Sequence, residues 1–300
     1  MARTVKDAAT ILQAIAGPDP NDNYTSAIPN DGVLPNYVAA CNYSAFQGAR
    51  IGIPRNVISL MARNSTTAIT DAFESAITIM RNAGATIVDN TNFSAAAAFL
   101  NATTQTQVFN ADMIVNLATY LSSLRTNPTG VQTLADVRAF TQAHPHEGWP
   151  ARDTALWDDA LFEQRWNNTD PRFWAAYQTN VQLYGGSGGL LGTLDAHGLD
   201  AVVLPTMFAS YWAAVVGAPV VTVPLGYYPP DADVVLSEPE EYGLVWAGPH
   251  IPFGLSFLGA RFSEETLIGF AYAFEQRTMV RGMVRPYIVP SVEIGDVVGH

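Results

Sequence analysis

The strongest constraint in this 300-residue chain is residues 199–262, which hold LDAVVLPT, then APVVTVPLG, then PFGLSFLGARF. Val202, Val203 and Leu204 follow one another without a polar partner, and Val220 and Val221 do the same with Val223 close behind. A strand with one face in water alternates apolar and polar residues, whereas a strand covered on both faces carries an unbroken apolar run. Both runs therefore predict central strands, and such strands need helices layered above and below them. Each run meets a proline, Pro205 or Pro224, which has no N–H to give to a ladder and tends to sit where a strand leaves the sheet. Open α/β sheets bind ligands at such strand ends, so a site is expected around Thr206 and Leu225.

The remaining sequence supplies the layers. Residues 4–16 predict a helix with Val5, Ala8, Ala9, Leu12 and Ile15 on one stripe, stopped by Gly17-Pro18. Residues 19–45 are rich in Pro, Asn, Asp and Gly and read as a surface connection. Residues 50–54 read as a strand. A helix then starts at Ser65 or Thr66, with Ile69, Ala72, Phe73, Ala76, Ile77 and Met80 on one face and a cap at residues 82–84. Residues 85–88 form the next strand, giving a right-handed β-α-β unit with parallel strands.

From residue 94 to 185 strand patterns give way to helical ones. Phe109, Met113, Leu117, Leu121 and Leu124 recur every three or four residues, and residues 134–143, 153–166 and 171–183 read as further helices. This is a helical insert within a single domain spanning residues 1–300. His197 falls in the last turn of a helix that Gly198 closes in the left-handed conformation. Residues 227–241 read as an exposed loop and 254–259 as a strand beside the earlier pair. Ser263 reads as the N-cap of a helix that buries Leu267, Phe270, Ala271 and Phe274, and residues 281–300 read as irregular.

Composition narrows the partners. A net charge of −12 with no clustered Lys/Arg runs argues against nucleic acid and anionic membrane surfaces. No apolar run approaches the ~18 residues of a membrane span, and Arg3, Lys6 and Asp7 interrupt any secretory leader pattern. Cys41 is the single cysteine, so no internal disulfide framework exists. Asn-x-Ser/Thr sequons occur at Asn23, Asn42, Asn64, Asn92, Asn101 and Asn167. Random scatter of the 17 Asn and 39 Ser plus Thr gives about two. The excess, with lysine so scarce, points to a secreted glycoprotein whose leader is not in this chain. An Asn- and Thr-rich cytoplasmic protein is the alternative.

LDAVVLPT, GAPVVTVPLG and FGLSFLGARFSEETLIGFAYAFEQRT, in that order and spacing, resemble the C-terminal third of the amidase signature family. The opening MARTVKDAATILQAIAGPDPND resembles the segment that follows the family's Gly/Ser-rich catalytic region. ADMIVNLATYLSSL and TLADVRAFTQAH are similar to the helical stretch of its peptide-amidase-like branch. The resemblance implies a mixed, mostly buried sheet covered by helices, with a helical cap. It also implies an α/β hydrolase of linear carboxylic amides that uses a serine nucleophile, a second serine in a cis peptide and a lysine. In the family the first motif reads approximately GPMARTV, which implies that those three residues precede Met1 and that this chain is the C-terminal portion of a longer protein. VFNADM departs from a more charged segment of the branch, which unsettles transfer of its substrate preference.

The catalytic set is accordingly expected to be absent, and the chain inactive alone. Ser187 lies in GGSGG after the helical stretch, without a second serine, and reads as a turn or N-cap before GLLGTLDAH. Lys6 is the only lysine and reads as a solvated helix position. Candidate pocket residues are Phe109 and Asp112 in the insert, with Thr206 and Trp212 after the first strand run. Trp149, Trp157, Trp166, Phe173, Trp174 and Tyr177 read as core of the insert, with an aromatic-lined amide pocket as the alternative. His144, His146 and Glu147 are residue types that zinc uses, but Pro145 separates the imidazoles and a solvated loop is expected. No cofactor and no metal are expected; the partner is a small amide or peptide-amide substrate of the complete protein. The competing reading is a non-catalytic secreted α/β protein binding a small ligand at its strand ends. If covering elements lie outside the chain, apolar faces should be bare and the isolated chain poorly soluble.

Overall fold

The computed structural model describes residues 1–237, 243–285, 288–289 and 291–292. Helix α1 (Val5–Ile15) starts where the Thr4 hydroxyl accepts from the Asp7 N–H, an N-cap that satisfies one orphan donor of the first turn. Its predicted stripe is only half used. Val5 and Ala9 are buried and Leu12 is half-buried, while Ala8 and Ile15 are exposed, as is Ile11 beside the stripe. The helix start is tied to the far end of the chain, because the Val5 N–H donates to Glu275 Oε1 at 3.0 Å.

Strand β1 (Arg50–Ile53) leads through Pro54 into a short helix, α2 (Arg55–Met61), that the periodicity did not single out in so few residues. Helix α3 (Thr67–Asn82) buries Ile69, Phe73, Ala76, Ile77 and Met80 and returns to β2 (Thr86–Asp89), which pairs parallel to β1. Gly84 makes this return. Its φ of +102° disfavours a side chain, and a Cβ there would stand 2.6 Å from the Gln47 carboxamide oxygen. Arg55 locks the unit from outside by pairing with both Glu74 and Asp89.

The insert holds α4 (Ala96–Phe99), α5 (Thr104–Ser123), α6 (Leu134–Ala143), α7 (Ala155–Asp158) and α8 (Pro171–Gly185). Helix α6 begins with a reciprocal Thr133/Asp136 capping box. The single helix expected over residues 153–166 is instead one α turn followed by a π turn, Asp159–Gln164, closed by Arg165 at φ +59°. The coil widens where its side chains face α5: Asn110 Nδ2 donates to Asp159 at 2.7 Å, and Gln164 Nε2 donates to the Gln107 carbonyl at 2.9 Å. The aromatic core expected here is also overturned. Trp149 and Trp174 are exposed, Trp174 to 61%, and Trp157, Trp166, Phe173 and Tyr177 are half-buried. Of these rings Phe173, Trp174 and Tyr177 stack along α8, Trp174 on Tyr177 at 5.4 Å and Phe173 on Tyr177 at 6.2 Å, so there the spacing of three and four joins neighbours rather than marking a buried stripe.

Helix α9 (Leu190–His197) ends at Gly198, φ +55°, as the cap pattern predicts. It feeds β3 (Ala201–Pro205), every residue of which is buried. After α10 (Ser210–Ala214) come β4 (Val220–Tyr227), the small hairpin of β5 (Val235–Leu236) and β6 (Val245–Ala247), then β7 (Pro252–Leu258) and α11 (Glu264–Thr278). Strand β5 lies where a loop is expected over residues 227–241, of which 238–241 lie outside the described residues; so do 286–287, 290 and 293–300 of the expected irregular tail. Ser263 precedes α11 without capping it, its hydroxyl donating instead to the Ala260 carbonyl at 2.7 Å.

The main sheet has the order β2-β1-β3-β7-β4, with β7 antiparallel to both neighbours. Strand β4 is thus an edge and not the central strand its letters predict: β7, arriving later in the chain, takes the place between. Its burial alternates over Val220 to Val223, Val220 and Thr222 being exposed and Val223 buried. Pro224 does not end the strand. It sits at a register shift between Pro224 and Gly226, where a missing N–H costs no ladder bond. On the Val203–Phe257–Val221 face, Phe46 stacks on Phe270 of α11 at 5.6 Å and fills the main core.

Candidate functional site

The register places Leu204, Ser256 and Thr222 side by side across β3, β7 and β4. Ser256 is the one hydroxyl in PFGLSFLG and is fully buried. Its Oγ lies 2.9 Å from Thr206 Oγ1 and 2.8 Å from Thr222 Oγ1, so three hydroxyls run across the sheet from the end of β3 to the exposed edge strand. Each hydroxyl both donates and accepts, so such a row can pass polarity from a buried centre to its open end. Gly254 makes room for it, since a Cβ there would stand 2.6 Å from Thr206 Oγ1 and 3.1 Å from Thr222 Cγ2. Sequence reasoning picked Thr206 but missed Ser256 and Thr222. A lone serine in an apolar strand run was the available signal, because a buried hydroxyl needs a partner.

Thr222 opens into a groove of about 700 Å3 along the free edge of β4. Residues 1–5, Ala8, Ala9 and Leu12 form one wall and Pro219 to Pro224 the other, with Glu264, Ile268 and Glu275 of α11 below. Ala8 of α1 and Val220 of β4, both exposed, thus line the same groove, whereas Ile11 and Ile15 lie outside it. An edge strand presents unpaired N–H and C=O groups; Val220–Val223 carries no charge to blunt it, and only Pro224 and the register shift beside it interrupt the edge.

Trp212 is not on this groove. It is 1% exposed and packs against Phe93 at 4.7 Å, Phe99 at 5.3 Å and Tyr184 at 5.5 Å, where α4, α8 and α10 converge. Its indole N–H and the Tyr184 hydroxyl are buried without hydrogen-bond partners. Burial, with a smaller contribution from Tyr211, pushes the Tyr184 phenol up to about 12. In the insert, Phe109 is 52% exposed, whereas Asp112 accepts from Asn168 Nδ2 at 2.9 Å and fastens α5 to the approach to α8. The four pocket candidates therefore sit in three neighbourhoods: Thr206 on the sheet, Trp212 in the aromatic cluster, Phe109 and Asp112 on α5.

The sequence candidates for attack or proton transfer form no hydrogen-bonded pair with one another. Ser187 is exposed in the turn between α8 and α9, and Lys6 is exposed on α1. Burial pushes the Cys41 thiol up, which removes thiolate at neutral pH. His144 stacks on Phe140 at 4.9 Å, and among the described residues no group of three His, Cys, Asp or Glu side chains could hold a metal ion. No helix of the described residues is long and apolar enough to cross a membrane.

A family model described as Amidase matches residues 1–268. A putative amidase of Arthroderma benhamiae is 47% identical over 294 residues, which are 98% of this chain and 48% of that protein. A probable amidase of Arabidopsis thaliana is 27% identical, over 94% of this chain and 48% of that protein. Among solved structures, the native peptide amidase of Stenotrophomonas maltophilia superposes with a TM-score of 0.72 at 30% identity, over 94% of this chain and 53% of that one. Peptide amidase PAM in complex with the competitive inhibitor chymostatin gives 0.73 at 30% identity, over 94% and 54%. The chain spans about half the length of the curated relatives it matches.

Proposed function

The chain belongs to the amidase family, and from that premise we propose that it forms the sheet, pocket wall and helical cap of a hydrolase that cuts the carbon–nitrogen bond of linear amides or peptide amides. The serine nucleophile, its cis-peptide serine partner and the lysine come from a complementing segment outside these 300 residues. On that segment a serine oxygen bonds to the acyl carbon, the amine departs with a proton, and water then frees the acid from the acyl-serine. The observation that carries this reading is the open β4 edge, where an apolar groove meets the exposed end of the Thr206–Ser256–Thr222 hydroxyl row. The exposure of Ser187 and Lys6, with no hydrogen bond joining them, supports it further, since an activated nucleophile needs its base within hydrogen-bond reach.

The test pairs the purified chain with the portion of the Arthroderma benhamiae putative amidase that it does not match. The chain alone should leave short aliphatic and peptide amides intact, and the mixture should release ammonia or amine. Turnover by the chain alone that vanishes in Ser187→Ala would contradict the reading. The family and the open edge favour this hydrolase over a non-catalytic binding protein. We also propose passage through a secretory route: five of the six sequon asparagines are exposed and Asn167 is half-buried. A mass shift on endoglycosidase treatment of protein from a eukaryotic host checks it.

A further inference from the structure

Among the six sequon asparagines Asn167 stands apart, because it alone is half-buried. Its Oδ1 accepts from the Thr169 N–H at 3.0 Å and from the Thr169 hydroxyl at 2.7 Å, whereas its Nδ2 makes no hydrogen bond among the described residues. The backbone around it is anchored on both sides. Before it, the π turn closes at Arg165; after it, the Asp170 N–H donates to the Asn167 carbonyl at 3.1 Å, and Asp170 itself caps α8. Asn167 lines a groove of about 690 Å3 between α5, the π turn and the start of α8. Ile114, Leu161 and Trp166, all half-buried, give this groove an apolar wall, and Thr169 and Asp170 add polar atoms. Trp166 also borders a neighbouring groove of about 470 Å3, and the Arg172 guanidinium, 5.2 Å from the centre of the indole, lines that neighbour instead of this one.

We propose that Asn167 carries an N-linked glycan whose first N-acetylglucosamine lies in this groove against Trp166, an inference that rests on the secretory route proposed above. In the attachment step the Asn167 amide nitrogen bonds to the anomeric carbon of a diphosphate-activated oligosaccharide; the anomeric C–O bond breaks, the diphosphate leaves with the electron pair, and the nitrogen gives up one proton. A sugar ring has an apolar C–H face and a rim of hydroxyls, which suits a wall of indole and aliphatic side chains beside polar atoms. The covalent tether holds that ring next to the groove at high effective concentration, so weak contacts are enough to seat it. At the other five sequons the asparagine is exposed and a sugar reaches into water.

To test this, the full chain and Asn167→Gln are each made twice, secreted behind a host leader from a eukaryotic host and inside a bacterial one. Endoglycosidase H trims the secreted pair to one N-acetylglucosamine per occupied site, and glycopeptide mass spectrometry reads the occupancy. The trimmed parent should melt above its bacterial counterpart by at least about 2 °C more than the two Asn167→Gln samples differ from each other. In Trp166→Ala that excess should vanish. Thr169→Ala keeps the asparagine, removes only the acceptor motif, and repeats the comparison if Asn167→Gln does not fold. An equal host difference in parent and Asn167→Gln, or an excess that survives Trp166→Ala, would overturn the seated sugar. So would an empty Asn167 while other sequons are occupied, an outcome that leaves the secretory reading standing. Six empty sequons would overturn both.

Discussion

Strands β3 and β4 are written in nearly the same letters, AVVLP and VVTVP, and the protein uses them in opposite ways. In β3 every residue is buried, with β1 on one side and β7 on the other. In β4 the side chains of Val220 and Thr222 are exposed, and one edge has no strand partner among the described residues. Apolar surface left in water forgoes roughly 25 cal/mol per Å2. A strand lettered for full burial but half covered is therefore shaped for a cover, and α1 says the same with Ala8, Ile11 and Ile15 outside. The pair teaches that residue pattern reports the burial a strand is suited to, and that the fold at hand decides how much of it is supplied.

Substitution across the pair gives the largest effect. Leu204→Ala should cost about 2–5 kcal/mol in urea unfolding, as cavities in packed cores do, whereas Val220→Ala should cost no more than about 0.5 kcal/mol. Equal costs would mean that β4 is as covered as β3. The hydroxyl row sharpens the contrast on a smaller scale. Ser256→Ala strands Thr206 and Thr222 and should lose about 1–3 kcal/mol, while Thr222→Ala, at the solvent end, should lose under about 0.5 kcal/mol. A neutral Ser256→Ala would show that the three hydroxyls do not act together.

Much of this contrast was legible in the letters and part was not. The β-α-β unit, α6 and α9 followed from periodicity and caps, because local signals specify local structure. Strand order did not follow: nothing in PFGLSFLG says that β7 enters between two earlier strands, since pairing partners are chosen by tertiary packing. The same ambiguity hid the exposure of Trp174, because aromatics at helical spacing look alike whether they face a core or one another. Of the site, Thr206 was visible from the strand-end rule, while Ser256 and Thr222 needed the register to be seen as its partners.

The smallest effect concerns Tyr184 in the packed region. Its phenol is raised to about 12 from 10.0, so the folded state favours the neutral form. The stability it contributes is fully present below pH 10 and is lost as pH rises toward 12. Tyr37 and Tyr228 are pushed up by burial as well, so Tyr184→Phe should shrink the alkaline loss without abolishing it. At neutral pH the variant should match the parent or gain up to about 1 kcal/mol, because the hydroxyl it removes has no partner. Chemical denaturation at pH 7 and at alkaline pH reads both.

Hydrogen exchange at the outward-facing amides of Val220 to Leu225 tests the open edge most directly, measured for the chain alone and with the complementing portion of the Arthroderma benhamiae putative amidase. The account predicts rapid exchange alone and slowing by at least about tenfold in the mixture, while the amides of β3 stay slow in both. Amides of β4 that are already as slow as those of β3 in the isolated chain, or that the complementing portion leaves unchanged, would contradict it.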